Sequence, residues 1–286
     1  VSGDFSQLSP ICSTENKLIK DILGKSIFDV CGVEDAVRSG VDMSNNLAFL
    51  DTQYRMQPAI CSLISGYMYN NELHSGLDTV PVNIIHPLLD SLGELVLIDT
   101  SPLLSFSSTT ASKSKVNLLH AYIARKILLQ VAESNQLSLG YCTPFAGQAR
   151  LFSKLLTEQD QKVITSVGTV HKFQGDERDL LVYDTVTAQS ESNFLGPFLN
   201  ATKPKDEGAK NLNVAISRAK KSLVVLADLK VLDNQLSNYS FLRDVLFSMQ
   251  ASGRVIDARM LVDKNELGAI ESELSMSQIS VAKSSG

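Results

Sequence analysis

Short apolar runs alternate along the chain with longer segments in which apolar residues recur every three or four positions. The first pattern is typical of strands buried in a parallel sheet, and the second is typical of helices with one buried face. Strands that alternate with helices indicate right-handed βαβ units. The sequence therefore predicts an α/β fold with a mostly parallel sheet and helices on both faces. The runs that predict strands are Leu47–Leu50, Leu95–Ile98, Leu139–Cys142, Leu180–Tyr183 and Ser222–Ala227.

Helix signals follow several of these runs. Pro58 suits the first turn of a helix, and Thr143 followed by Pro144 is typical of an N-cap and a first helical residue. Apolar spacing predicts a helix from about Asn117 to Ser134, and a second helix over Asn211–Lys221 is predicted to lead into the last strand. The polar residues before that second helix are predicted to form a long loop over 189–210.

The stretch Gly168–Val186 joins a polar loop to a buried strand. The loop ends in Phe173-Gln174-Gly175-Asp176-Glu177, in which an aromatic ring, an amide, a glycine and two carboxylates stand in consecutive positions. Glycine allows a tight turn or a close approach of the backbone to a ligand. Taken alone, the stretch is equally consistent with a plain surface turn that feeds a strand.

Composition limits the classes of function. The chain has 286 residues, of which 44% are hydrophobic, and its formal net charge is -5. An acidic chain does not attract nucleic acid through its overall field, so a nucleic-acid site would need a local groove and backbone amides. No apolar run reaches the roughly 18 residues that a membrane span needs, so no membrane partner is expected.

The cysteines and histidines indicate neither a disulfide framework nor a metal site. The four cysteines are far apart in the sequence, with no CxxC pair and no nearby set of histidines. This usage is typical of reduced thiols, and a cytoplasmic location is therefore expected. Because the chain begins without methionine and within a motif, we expect it to be a fragment of a longer protein.

Five stretches, taken together and in order, resemble the C-terminal half of superfamily 1 helicases. The resemblance is to the branch that contains the nonsense-mediated decay RNA helicase and its bacterial relatives, and it covers residues 1 to about 228. In that family these stretches correspond to motif III, motif IV, a TPY-Q element, motif V and motif VI. The stretches read GDFSQLSP, QYRMQP, CTPFAGQ, GTVHKFQGDE and NLNVAISRAK.

The resemblance implies a RecA-like domain of the P-loop NTPase type, the second motor domain of an ATP-dependent helicase. Residues 1–45 would be the tail of a preceding RecA-like domain, 46–260 the second domain, and 261–286 a partly disordered extension. ATP would lie between the two domains, and single-stranded DNA or RNA would be the partner.

The resemblance also implies a role for each of ten residues. The implied catalytic residues are Gln7, Arg55, Glu177 and Arg218. The implied nucleotide-binding residues are Tyr54, which would stack on adenine, and Gly175. The implied nucleic-acid contacts are Thr143, Pro144, Thr169 and His171.

Elementary chemistry supports the catalytic roles implied for Arg55 and Arg218. Phosphoryl transfer needs positive charge around the γ-phosphate, and a guanidinium can bond two oxygens while keeping its charge. Arg55 follows a predicted strand, so we expect it to project from the carboxyl edge of the sheet. On a helix over Asn211–Lys221, Arg218 would lie opposite the apolar face and point to solvent.

Some features depart from the family pattern. Phe5 and Ser9 replace frequent prolines, Gln57 replaces a frequent histidine, and Asp176 replaces a frequent arginine, which weakens the positive potential there. The 286 residues contain neither GxxxxGK[ST] nor an apolar strand that ends in Asp-Glu. We therefore expect ATP and Mg²⁺ to require the upstream RecA-like domain, and the chain alone to be inactive.

Two other classes of function compete with the helicase. A non-catalytic nucleic-acid-binding or scaffolding module could keep the fold, although it would have no need for Gln7, Arg55, Glu177 and Arg218. A dinucleotide-binding oxidoreductase is excluded because the chain contains no GxGxxG.

Overall fold

The computed structural model describes residues 2–10, 16, 19, 23–41, 47–78, 80–103, 105–110, 112, 114–190, 195–196, 198–262, 265–266 and 268. Strands in these ranges are β1 Thr52–Gln53, β2 His74–Ser75, β3 Ile84–His86, β4 Asp90–Leu92, β5 Leu95–Asp99, β6 Ser108–Thr109, β7 Lys115–Val116, β8 Leu139–Thr143, β9 Ile164–Thr169, β10 Arg178–Asp184, β11 Ala219–Ala227 and β12 Arg254–Asp257. Helices are α1 Ile27–Val30, α2 Val33–Arg38, α3 Pro58–Tyr69, α4 Leu118–Ser134, α5 Ala146–Leu155, α6 Asp160–Val163, α7 Glu207–Ile216, α8 Leu229–Gln235 and α9 Phe241–Ser252. Two 3₁₀ turns span Val170–Phe173 and Ala258–Met260.

The main sheet has six strands in the described part of the chain, in the order β12-β5-β11-β10-β8-β9. All of its neighbouring strands pair in parallel. Alternate residues of one strand enter different cores because side chains on a strand alternate between the two faces of the sheet. In β10, Leu181 and Tyr183 pack on one face, while Leu180 and Val182 pack on the other.

Helices cover both faces of this sheet. The helices α3, α7 and α9 supply buried side chains to the face that contains Leu181, and α4 and α5 supply them to the opposite face. The predicted class, an α/β domain with a parallel sheet between two helical layers, is confirmed. Among the helices given above, none combines the length and apolar composition needed to cross a membrane.

Local capping chemistry explains several helix starts. Asn117 caps α4 by accepting a hydrogen bond from the backbone of His120, and Pro58 occupies the first turn of α3. Ser26 and Asp29 form a reciprocal capping box at α1. These starts are confirmed for α3 and α4.

Three predicted boundaries are wrong. Residues 47–50 do not form a strand, and Leu50 is 85% exposed. The helix predicted to begin at Asn211 begins at Glu207, within the predicted loop, and ends at Ile216. Thr143 and Pro144 do not begin α5, because Thr143 still belongs to β8 and Phe145 is the N-cap. Thr143 stays in β8 because it pairs with Thr169 of β9, which overrides its local preference for a helix start.

Candidate functional site

The four predicted catalytic residues lie at the amino edge of two central strands. Glu177 comes directly before β10, and Arg218 directly before β11. The loop that carries Arg55 joins the same edge, because the backbone of Gln57 donates to the carbonyl of Lys220 at 2.9 Å. The expectation that Arg55 projects from the carboxyl edge of the sheet is therefore wrong. Residues 47–50 do not enter the main sheet, and the short strand that ends two residues before Arg55, β1, pairs with β2 in a separate two-stranded sheet.

Arg218 is buried, with 3% of its surface exposed. Its Nε donates to the carbonyl of Val214 at 3.1 Å, and its Nη2 donates to Oγ of Ser217 at 3.0 Å and to Oε1 of Gln7 at 3.1 Å. The prediction that Arg218 faces solvent is wrong because α7 ends at Ile216. The arginine stands in the turn between α7 and β11, and its side chain folds back on the end of the helix.

The guanidinium of Arg218 has only neutral acceptors. None of the ion pairs in the described part of the chain includes Arg218, and its hydrogen bonds go to carbonyl, hydroxyl and amide oxygens. Burial lowers the pKa of Arg218, and the nearby positive charge of Arg55 lowers it further, while the more distant charges of Glu177 and Asp4 partly offset this. Because arginine stays protonated, a positive charge is held in a desolvated place without a carboxylate in hydrogen-bonding contact. Such a place favours an anionic ligand.

Gln7 is oriented by a turn at the start of the described chain. Its Nε2 donates to Oδ2 of Asp4 at 2.9 Å, and the backbone of Ser6 donates to Oδ1 of the same carboxylate at 2.9 Å. A glutamine amide carries one donor group and one acceptor group. With the donor engaged by Asp4, the acceptor oxygen is the atom turned towards Arg218.

Arg55 and Glu177 form an ion pair that is open to solvent. The Nε of Arg55 lies 2.9 Å from Oε2 of Glu177, and Nζ of Lys220 lies 3.6 Å from Oε1. The two side chains of the pair are 41% and 45% exposed. A groove of about 350 Å³ opens beside them, and its lining includes Gln7, Arg55, Phe5 and Met56. Positive charge and apolar surface therefore border one opening.

Gly175 provides the turn that places Glu177. Its φ of +86° lies in the left-handed region, which favours glycine. The next residue, Asp176, accepts hydrogen bonds from Ser166 at 3.0 Å and from Arg178 at 2.6 Å. Although burial acts to raise it, these bonds and the Glu177 amide hold the pKa of Asp176 below its ordinary value. Arg178 thus offsets the negative charge that Asp176 adds to this loop.

Tyr54 is 72% exposed and lies over a glycine. A Cβ added to Gly76 would meet Cε1 of the Tyr54 ring at 2.3 Å. Gly76 is held at this place by β1 and β2, because its backbone donates to the carbonyl of Gln53 at 2.7 Å. The ring therefore rests against bare backbone on one face. Its role in stacking on adenine stays a prediction.

The predicted nucleic-acid contacts lie at the opposite edge of the sheet. Thr143 and Thr169 are the last residues of β8 and β9 and pair in register. Thr143 and Pro144 are buried, and the Thr143 hydroxyl accepts from the backbone of Phe145 at 3.3 Å. Thr169 and His171 are partly exposed. The structure brings these four residues together, away from the arginines, and their role stays a prediction.

A short crossover links the two edges. Residues 170–177 run from the carboxyl end of β9 to the amino end of β10, with β8 between those strands. Val170 and Phe173 anchor this crossover in the core, and both are fully buried. The segment is therefore one direct covalent path between the predicted nucleic-acid contacts and Glu177.

The residues fit the phosphates of a nucleotide better than they fit its metal ion. Arg55 and Arg218 carry the charge that phosphate oxygens need; Arg55 lines the groove, and Arg218 lies behind it, bonded to Gln7 of the lining. No group of three or more His, Cys, Asp or Glu side chains in the described ranges is placed to hold a metal ion. Guanidinium groups of this kind are suited to bind phosphate oxygens, and the roles of the two arginines stay predictions.

The six-stranded parallel sheet between helical layers is that of a RecA-like α/β domain. A family profile described as an AAA domain, AAA_12, matches residues 29–230, and the chain belongs to this family. It is 26% identical over 255 residues to ATP-dependent helicase upf1 of Schizosaccharomyces pombe, and 27% identical over 256 residues to DNA polymerase alpha-associated DNA helicase A of Saccharomyces cerevisiae. The predicted resemblance to superfamily 1 helicases of the nonsense-mediated decay branch is confirmed.

The chain spans only part of these relatives. The matches cover 84% of this chain in both cases, but 25% of upf1 and 35% of helicase A. The probable helicase senataxin of Homo sapiens is 28% identical over 192 residues, which are 65% of this chain and 7% of that protein. A solved structure titled "The structure of PRRSV helicase" overlaps 97% of this chain and 44% of its own, with 12% identity and a TM-score of 0.32. The fold follows from strand order and register, not from that overlap.

Sequence reasoning missed part of the site. Lys220 beside Glu177, Gly76 beneath Tyr54, and the partners of the Gln7 turn were not singled out. One of these partners, Asn213, lies inside the motif stretch NLNVAISRAK, so the sequence contained a signal for it. Tyr69 follows no motif, and its place beside Asp4 depends on a contact 65 positions away in the sequence.

Proposed function

We propose that this chain is the second RecA-like motor domain of an ATP-dependent superfamily 1 helicase or translocase that acts on single-stranded nucleic acid. Residues 1–45 are proposed to be the tail of an upstream RecA-like domain, 46–260 the second domain, and 261–286 an extension. ATP would bind between the two domains. The proposal concerns the whole protein, since the chain spans 25% and 35% of its helicase relatives upf1 and helicase A.

One observation carries the proposal. Arg218 keeps a buried positive charge next to a second arginine, with neutral acceptors and no ion pair in the described part of the chain. A buried charge without a counter-charge costs free energy unless a ligand supplies the counter-charge. A phosphate that enters the groove beside Gln7 and Arg55 would supply it.

Arg218, Arg55, Gln7 and Gly175 would each have a separate role in ATP hydrolysis. Bound ATP with Mg²⁺ supplies the reacting γ-phosphoryl group and part of the charge neutralisation. Arg218 would stabilise negative charge on that group, and Arg55 would leave Glu177 to add a second guanidinium. Gln7 would report the state of the phosphate, because its oxygen already touches Arg218. Gly175 would let the backbone approach the nucleotide.

Nucleic acid would lie along the other edge of the sheet. Hydroxyl groups and backbone amides bond phosphates without reading sequence. We propose Thr169 and His171 as the accessible contacts, with Thr143 and Pro144 shaping the adjacent turn. The crossover 170–177 would then transmit movement between these contacts and Glu177.

A non-catalytic nucleic-acid-binding or scaffolding module is the second candidate. It would keep the fold and the carboxyl-edge contacts, but a buried unpaired arginine would bring it only a cost in stability. ATP turnover by the complete protein distinguishes the two, because a scaffold has none.

The test is steady-state ATPase activity of the complete protein with single-stranded nucleic acid present. Arg218→Ala should lower turnover by roughly a thousandfold to a hundred-thousandfold, as expected for an arginine finger. Arg218→Lys should restore little, because an ammonium cannot reproduce the forked contact. Arg259→Ala, at an exposed arginine paired with its neighbour Asp257, is the matched control.

Because Arg218 is buried, each variant also needs a thermal melt. Arg218→Lys retains the charge and much of the volume, so it reports on chemistry even where Arg218→Ala loses stability. A folded Arg218→Lys variant that turns over ATP within a few-fold of the parent would withdraw the proposed role of Arg218.

A further inference from the structure

The turn that carries Gln7 is held by two residues outside the set described above. Oδ2 of Asp4 accepts from Nε2 of Gln7 at 2.9 Å and from the Tyr69 hydroxyl at 2.7 Å. That hydroxyl in turn accepts from Nδ2 of Asn213 at 2.9 Å. The same Nδ2 donates to the carbonyl of Ser6 at 2.9 Å.

These bonds form a continuous chain that ends on the buried arginine. It runs from Asn213 in α7, through Tyr69 at the end of α3, to Asp4 and Gln7, and then to Arg218. Asn213 is fully buried. Burial, with the negative charge of Asp4, raises the pKa of the Tyr69 hydroxyl above its ordinary value, so the hydroxyl stays a donor. The Tyr69 hydroxyl therefore accepts from Asn213 and donates to Asp4, and the Asp4 carboxylate accepts from both Tyr69 and Gln7.

The orientation of the Gln7 amide depends on the Asp4 carboxylate. If the Asp4 carboxylate turned away, the Gln7 amide could rotate and present its NH₂ group to Arg218. Two donors would then face each other, and the arginine would lose an acceptor. The Tyr69 hydroxyl and the Ser6 amide hold the Asp4 carboxylate, and Asn213 holds the Tyr69 hydroxyl and the Ser6 carbonyl.

We propose that Tyr69 and Asn213 are positioning residues for ATP hydrolysis, which keep the amide oxygen of Gln7 on Arg218. This inference rests on the proposed function. Tyr69 lines one wall of the groove, but its hydroxyl bonds to Asp4 and Asn213, so the effect of both residues on Arg218 passes through Asp4 and Gln7. Loss of such a residue lowers the rate of the chemical step more than it changes the binding of ATP.

The first test is Tyr69→Phe in the complete protein, which removes one hydroxyl and keeps the ring. Turnover should fall by roughly tenfold to a hundredfold, the cost of misplaced catalytic groups, while the KM for ATP stays within about threefold. Tyr67→Phe on the same helix is the matched control, because its hydroxyl makes only a 3.5 Å contact with the carbonyl of Tyr239. The control should keep parental turnover.

The second test combines variants. In a Gln7→Ala background, Tyr69→Phe should cause no further loss, because residues that act through one another do not add their effects. Asn213→Ala should behave as Tyr69→Phe does, with a melt of each variant to compare stabilities. Additive losses in the double variant, or parental turnover in Tyr69→Phe, would overturn the inference.

The outcomes also separate this inference from the proposed function. If Arg218→Lys and Gln7→Ala retain parental turnover, both ideas fall. If those variants lose turnover while Tyr69→Phe does not, the proposed function stands and the positioning role falls.

Discussion

Arg55 and Glu177 form an ion pair across 2.9 Å at the amino edge of the sheet. The pair comes from distant parts of the sequence, and its arginine lines the groove that is also lined by Gln7. Lys220 stands on the other oxygen of Glu177. One carboxylate therefore holds two positive groups that a phosphate could otherwise attract.

Glu177→Gln should leave the stability of the fold nearly unchanged but lower ATP turnover. An ion pair this exposed contributes about 0 to 1 kcal/mol to stability, so the melting temperature should change by no more than about 4 °C. ATP turnover of the complete protein should fall by roughly tenfold or more, since Arg55 loses the group that orients it. Glu158→Gln, at an exposed carboxylate, is the control. Unchanged turnover in Glu177→Gln would exclude a role for this carboxylate.

Gly76→Ala tests the predicted adenine stacking of Tyr54 without replacing the tyrosine. The added methyl would lie 2.3 Å from the ring and displace it. Stacking of an aromatic ring on a base is worth roughly 1 to 3 kcal/mol, so the KM for ATP should rise about fivefold or more, with turnover at saturation retained. Gly93→Ala is the matched control, because its Cβ would meet nothing within 4 Å. An unchanged KM in Gly76→Ala would argue against adenine stacking by Tyr54.

Asp184→Ala should destabilise the fold severely. This buried carboxylate accepts from the Tyr141 hydroxyl, from Nε2 of Gln148 at 2.8 Å and from the backbone of Val186 at 2.7 Å, and it faces Nδ1 of His120 at 2.8 Å. Removing it leaves these groups unpaired in the core. We expect a loss of about 3 to 5 kcal/mol in the free energy of unfolding, measured by urea titration.

The control for that measurement is Asp233→Ala. Asp233 is paired with Arg243, but its side chain is 75% exposed. Its removal should cost less than about 1 kcal/mol. Equal losses at the two positions would contradict the role given to the buried Asp184 network.

His86 should make stability depend on pH. Burial, with the nearby charge of Arg254, lowers the pKa of His86 to about 4. The unfolded chain binds the proton more readily, so the contribution of neutral His86 is complete above the ordinary pKa of about 6.5 and is lost as the pH falls towards 4. The free energy of unfolding should fall by up to about 3 kcal/mol across this window. His86→Gln should flatten that part of the curve, and an unchanged slope would contradict the assignment.

The 286-residue chain alone should hydrolyse ATP far below the roughly 1 to 100 per second typical of phosphoryl-transfer kinases. Its sequence contains no GxxxxGK[ST] to cradle the phosphates. A phosphate-release assay with the purified chain measures this rate, and the complete protein serves as the positive control. Turnover at an ordinary rate by the chain alone would show that it holds a whole site.

Much of the fold could be predicted from local pattern. The helices α3 and α4 begin where Pro58 and Asn117 indicate, and the apolar run Leu180–Tyr183 lies inside β10 as predicted. Spacing of apolar residues and the chemistry of a helix start involve neighbours within a few positions, so the sequence alone carries these signals. The order of the motif stretches likewise identified the family that the profile match confirms.

The site depended on contacts between distant residues. The burial of Arg218 follows from where α7 ends and β11 pairs, and that boundary depends on neighbouring strands. Arg55 lies at the amino edge because Gln57 bonds to the start of β11. The sequence determined which side chains were available and which segments were helical or extended. Only the tertiary structure decided which side chains met, because hydrogen bonds such as Gln7 to Arg218 join residues 211 positions apart and leave no local pattern.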